Sequence, residues 1–154
     1  VWNIPPGNAE LRNALQTVDP QTIYLFGNPS GTDEIKPFSQ NLAGLLLYAI
    51  NHRLGWICVT ELAEATGQRE ITIEKGISWL VHQGSLHIEA REEKRLKLQK
   101  GGTPTPHLKQ QIEAGLKLLL QETEAFRSYY LRADEHELVK PPEGKNNIVR
   151  RRSF

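Results

Sequence analysis

Between Phe38 and Lys100 the apolar residues change their period, and that change constrains the chain more than any other feature of it. From a capping Ser39 onward, Leu42, Leu45, Leu46, Ala49 and Ile50 recur at three- and four-residue steps, one buried stripe of a helix that ends at Leu54-Gly55. Trp56 to Val59 leaves room only for a small strand. Thr60 then caps a second helix, Glu61 to Thr66, which buries Leu62, Ala63 and Ala65 and is stopped by Gly67. After the turn Gly67-Gln68-Arg69, a third helix from Arg69 to Gln83 sets Ile73, Ile77, Leu80 and Val81 on one side. Glu70, Glu74, Lys75, Ser78 and His82 face outward. Beyond Gly84 the period drops to two. Leu86-His87-Ile88-Glu89 and Leu96-Lys97-Leu98-Gln99 alternate apolar and polar residues around a charged turn, Ala90 to Lys94.

A helix, a tight two-helix turn and a charged hairpin in that order are the parts of a winged helix-turn-helix. The flanks add to it. Asn8 caps a short helix through Gln16, Thr22 to Phe26 is a strand, and Asn28 to Pro37 is a loop. Past the linker Gly101 to Pro106, a long helix from His107 to about Arg132 repeats Ile112, Leu116, Leu119, Leu120, Thr123, Phe126 and Tyr130, so it must dock on an apolar surface. The expected fold is therefore α+β and mainly helical: a winged helix-turn-helix core with an N-terminal strand and helix and a long C-terminal helix. Its expected divisions are residues 1–37 packed on the core, the winged helix at 38–101, linker and long helix at 102–132, and an irregular, basic-ended tail at 133–154.

Charge decides what such a unit could bind. The net charge of +1 argues against a grip on duplex DNA that needs many phosphate contacts. The third helix offers Glu70 and Glu74 where a base reader would show Arg, Asn, Gln or Ser. The hairpin is the basic part, with Arg91, Lys94, Arg95, Lys97 and Lys100 available to a phosphate backbone or an acidic peptide, diluted by Glu92 and Glu93. Arg150, Arg151 and Arg152 form a second cluster suited to phosphate or an acidic partner. The bland alternative is a solvated hairpin tip and a solubilising terminus. Trp56 and Trp79 could stack on single-strand bases, but both lie beside core positions and are expected to pack inside.

Catalysis finds no support in the sequence. There is no P-loop, no nucleophile elbow, and no dense acidic and histidine motif for a divalent metal. Cys58 stands alone, the five histidines are scattered, and no cofactor is expected in this chain. No run approaches the roughly 20 apolar residues of a membrane helix, and no secretory signal is present, so no membrane partner and a cytoplasmic address are expected. The chain begins at Val1 and contains no methionine, which suggests an excised piece of a longer protein.

The strand "IYLFG" (Ile23 to Gly27), the helix with Phe38 and Leu42 to Tyr48, the core "TELAEATGQREITIEKGISWL" and the helix end "ETEAFRSYYLR" (Glu122 to Arg132) occur in a familiar order. Over about Gln21 to Arg132 the chain resembles the C-terminal extension of bacterial RecJ-type single-strand-specific DNA exonucleases. The resemblance implies a manganese- or magnesium-dependent parent that degrades single-stranded DNA from the 5′ end in recombination and repair. The acidic and Asp-His-His metal motifs of that family are not in this chain, so no catalytic residue is carried over. The implied role is an accessory domain, with the parent's catalytic core, single-stranded DNA and single-stranded DNA-binding protein as partners. A free-standing winged-helix transcription regulator, with the long helix as a dimer element, and a protein-interaction module unrelated to DNA are the competing readings.

Overall fold

In a computed structural model of the chain, residues 4–26, 31, 33–139 and 148–152 are described, with His136 and the last of these segments described by backbone alone. The protein is α+β and mainly helical. It divides into two compact units, residues 31–121 and residues 1–30 with 122–154. The N-terminal helix and strand thus share a unit with the end of the chain, whereas the sequence had grouped residues 1–37 with the central core.

In the larger unit, α1 (Ile35–His52) is followed by β1 (Trp56–Cys58), α2 (Val59–Thr66), α3 (Glu70–His82), β2 (Leu86–Glu92) and β3 (Arg95–Lys100). The first part of α4 (Pro106–Arg132) completes it. The three strands form an antiparallel sheet in the order β1-β3-β2. Their register sets Ile57 opposite Leu96 and Trp56 opposite Lys97. Of the helical stripe read in the sequence, Leu42, Leu46 and Ala49 are buried and Leu45 and Ile50 are half-buried; Leu42 and Leu46 of α1 and Ile73 and Ile77 of α3 are at most 1% exposed. Leu96 and Leu98 close the core from the sheet, and Leu116 and Leu120 of α4 from the other side. Gly67 ends α2 in the left-handed region at φ 63°, where a side chain would add strain. Gly76 lets α1 and α3 approach, since a Cβ there would lie 2.6 Å from Leu42 Cδ2 and 2.7 Å from Phe38 Cε1.

Several boundaries differ from those read in the sequence. The first long helix begins at Ile35, with Glu34 as its extended N-cap, so Ser39 is not the cap and its Oγ donates to the Lys36 carbonyl within the helix. Pro37, which has no N–H to donate, is tolerated because a first-turn N–H would have no intrahelical acceptor. The second helix begins at Val59. Thr60 does not cap it, because its hydroxyl donates to the Glu70 carboxylate instead. The hairpin turn narrows to Glu93 and Lys94, with a register shift between Ile88 and Ala90.

The other unit contains a helix at Asn8–Val18, a strand at Thr22–Phe26, the end of α4, a short helix at Glu135–Leu138 and a strand at Ile148–Arg152. The N-cap of its first helix is Gly7 rather than Asn8, whose Oδ1 accepts from Arg12 Nε. Ile4, Leu11, Ile23, Leu25 and Tyr130 form its core, and the buried Arg127 donates to the Ile4 carbonyl at 3.3 Å. The tail is not irregular throughout. Its last described segment is a parallel partner of the N-terminal strand, with Arg150, Arg151 and Arg152 opposite Tyr24, Leu25 and Phe26.

Candidate nucleic-acid interface

The hairpin cations are held by neighbours the one-dimensional pattern could not assign. Lys94, in the turn, lies with its Nζ 2.9 Å from Glu70 Oε1, and the Thr60 hydroxyl donates to that same oxygen at 2.7 Å. The Thr60 hydrogen bond and then that from Lys94 hold the Glu70 carboxyl below the usual 4.5, while Glu70 raises the lysine. The hairpin tip is thereby tied to the first turn of α3. On β3, Lys97 Nζ sits 3.1 Å from Glu89 Oε2, which also accepts from Gln99 Nε2 at 2.8 Å. Lys97 first and Gln99 second lower the Glu89 carboxyl. Lys100 donates to the neutral Asn51 Oδ1 at 2.9 Å, and the Arg95 guanidinium lies 5.1 Å above the Trp56 ring. Arg91 is exposed.

The structure therefore brings Arg91, Lys94, Arg95, Lys97 and Lys100 onto one hairpin but balances Lys94 and Lys97 with carboxylates. Exposed pairs of this kind are screened and weak, so their main effect is to lower the positive field of the hairpin. Arg150, Arg151 and Arg152 belong to the other unit, and their side chains lie outside the described residues.

The surface of α3 is more restricted than its sequence suggests. Along one flank runs α4: Trp79 Nε1 donates to Glu113 Oε2 at 2.9 Å and Lys109 Nζ lies 4.7 Å over the same ring. Arg69 Nη2 donates to the Leu119 carbonyl at 3.2 Å. Of the residues expected to face outward, Lys75 lies with its stem against Gly115, and His82 Nδ1 is 2.7 Å from Thr105 Oγ1. Glu74 and Ile71 stay exposed, with Ile71 at 52%. A carboxylate and an isoleucine are poor chemistry for a phosphate-lined major groove.

Sequence reasoning missed a groove bounded by α1, β1 and α2. It has a volume of about 300 Å³, and Leu45, Ala49 and Leu62 line it together with Tyr48, Arg53 and Trp56. Trp56 was expected in the core. In β1, however, only the central Ile57 is buried, and Trp56 and Cys58 are half-exposed on the opposite face of the sheet. The alternation of a strand carries this signal, but three residues are too few to reveal it. Tyr48 lies off the buried stripe of α1 and is 57% exposed. Arg53 Nη1 is 3.3 Å from Glu61 Oε2 at the rim.

Comparison with known protein families, curated proteins and solved structures finds no match to this chain. Among the described residues no group of three His, Cys, Asp or Glu side chains could hold a metal ion. No helix of the described residues is long and apolar enough to cross a membrane.

Proposed function

We propose that this chain is a noncatalytic accessory module built on a winged helix, the C-terminal region of a RecJ-type 5′-to-3′ exonuclease. In that role it handles single-stranded DNA or a partner protein during recombination and repair. The sequence strings quoted above support the family. The succession α1-β1-α2-α3-β2-β3, with β1 joining the hairpin in a three-stranded sheet, supports the winged helix. The observation that carries an accessory role over duplex reading is the state of α3. One flank is covered by α4, the exposed surface presents Glu74 and Ile71, and Glu70 consumes a wing lysine.

On this reading the divalent metal belongs to catalytic domains outside this sequence. The partners are that catalytic core, single-stranded DNA and single-stranded DNA-binding protein, in the cytoplasm. The test is to compare the parent exonuclease with and without residues 1–154 on a long single strand. Removal should leave cleavage chemistry intact and weaken strand capture, seen as a raised KM with kcat nearly unchanged. Loss of kcat with unchanged KM, or sequence-dependent duplex binding by a dimer of this chain, contradicts the proposal.

A further inference from the structure

We propose that the groove between α1, β1 and α2 is a stacking site for a base of single-stranded nucleic acid, with Trp56 and Tyr48 as its aromatic faces and Arg53 and Arg95 meeting the flanking phosphates. This deepens the strand-handling reading and rests on it.

Neither residue is fully buried: Tyr48 is 57% exposed, with its ring 4.7 Å from that of His52, and Trp56 is half-buried, and both line the groove. Arg95 already lies 5.1 Å above the indole, so the platform combines an aromatic face with a guanidinium, the pairing that recurs where single strands are held. At about 300 Å³, with Leu45, Ala49 and Leu62 in its lining, the groove is at the small end of ligand sites, suited to a flat ring rather than a helix.

The charges around it favour an anionic strand. Arg95 and Lys100 make no carboxylate ion pair among the described residues, Lys100 being held by the neutral Asn51. Arg53 is paired only with the exposed Glu61, and both side chains are at least 60% exposed, so a phosphate can exchange for that carboxylate at little cost. A duplex does not fit, because its bases are stacked on one another and cannot enter a groove. Sequence preference is expected to be slight, since any base offers a π-face.

The experiment uses the full chain and two labelled probes of equal length and charge, a deoxythymidine dodecamer and an abasic dodecamer, in fluorescence anisotropy at low salt. Wild type should prefer the deoxythymidine strand by about fivefold or more, and Trp56→Ala should lose roughly 5- to 150-fold on that strand, the range for one stacked base. Trp56→Phe should recover part of this loss. Tyr48→Ala, at an exposed position that folding tolerates, should weaken the same preference even if Trp56→Ala proves unstable. Ile71→Ala on α3 should change nothing.

Equal affinity for the two probes overturns the stacking site. So does unchanged binding by folded Trp56→Ala and Tyr48→Ala, in which case the chain still handles a strand elsewhere and the accessory reading stands. If an acidic peptide with an aromatic end binds in a Trp56-dependent way while the dodecamer does not, the groove is a peptide site and the proposal fails. No binding of either strand overturns both this proposal and a strand-handling role.

Discussion

Gly76 offers a test in which two physical effects of opposite sign compete. Alanine inside a helix is favoured over glycine by about 1 kcal/mol, so Gly76→Ala should stabilise α3 if nothing stood beside it. The added Cβ would lie 2.6 Å from Leu42 Cδ2 and 2.7 and 2.9 Å from Phe38 Cε1 and Cζ. Carbon contacts are comfortable at about 3.5–4.0 Å, so the helices must separate or the side chains must leave their rotamers. Neither is easy, because Leu42 is 0% and Phe38 1% exposed. Overpacking of a sealed core costs roughly 2–3 kcal/mol here, in the upper part of the usual range. Subtracting the propensity gain leaves a net loss of about 1–2 kcal/mol. Gly44→Ala on α1 is the control, since no atom comes within 4 Å of its Cβ and the position is exposed. That variant should gain a few tenths to about 1 kcal/mol. Urea unfolding of both variants beside wild type reads the difference, as opposite shifts in midpoint with unchanged slope. Stabilisation by Gly76→Ala comparable to that by Gly44→Ala would refute the described contact between α1 and α3.

Other expectations follow from the same contacts. Leu116→Ala should cost about 2–5 kcal/mol in urea unfolding and Leu118→Ala less than about 0.5, because Leu116 is 0% and Leu118 62% exposed; equal costs would contradict the docking of α4. Glu70→Gln removes the charge that balances Lys94, so it should strengthen and not weaken low-salt binding of a single strand, read by anisotropy. The pH dependence has a definite sign. Glu70 ionises more readily folded than unfolded, so between its two pKa values the unfolded chain holds more protons and stability falls as pH drops below about 4.5. Glu70→Gln should flatten that part of the stability curve, and an unchanged curve would sever the link between this carboxylate and Lys94 of the hairpin.

Much of the larger unit was legible in the sequence because its signals are local. The apolar stripe of α1, the glycine stop at Gly67 and the alternation in β3 are each expressed within a few residues, whereas the alternation expected in β2 fails at Ile88, which is 37% exposed. The start of α1 was hidden because Pro37 reads as loop, although a proline is harmless in a first turn. The strand at Ile148–Arg152 was hidden for another reason. Three consecutive arginines look like a solvated tail, and the strand's parallel partner lies at the other end of the chain. The candidate site was only half visible. Composition identified the hairpin cations, but the pairing of Lys94 with Glu70 depends on how a hairpin folds back to a helix start, which no spacing rule reports. Trp56 was misjudged because a hydrophobic ring beside core residues is ordinarily core, and only the strand's pairing decides which face it takes.

The central claim is that this fold handles a single strand and does not read a duplex. The direct measurement is a titration of the intact chain, with its oligomeric state recorded, against a labelled single strand and the corresponding duplex at several salt concentrations. The account predicts weak binding to the single strand that fades with salt, and weaker binding to the duplex without sequence preference. Tight, sequence-dependent duplex binding by a dimer would contradict it.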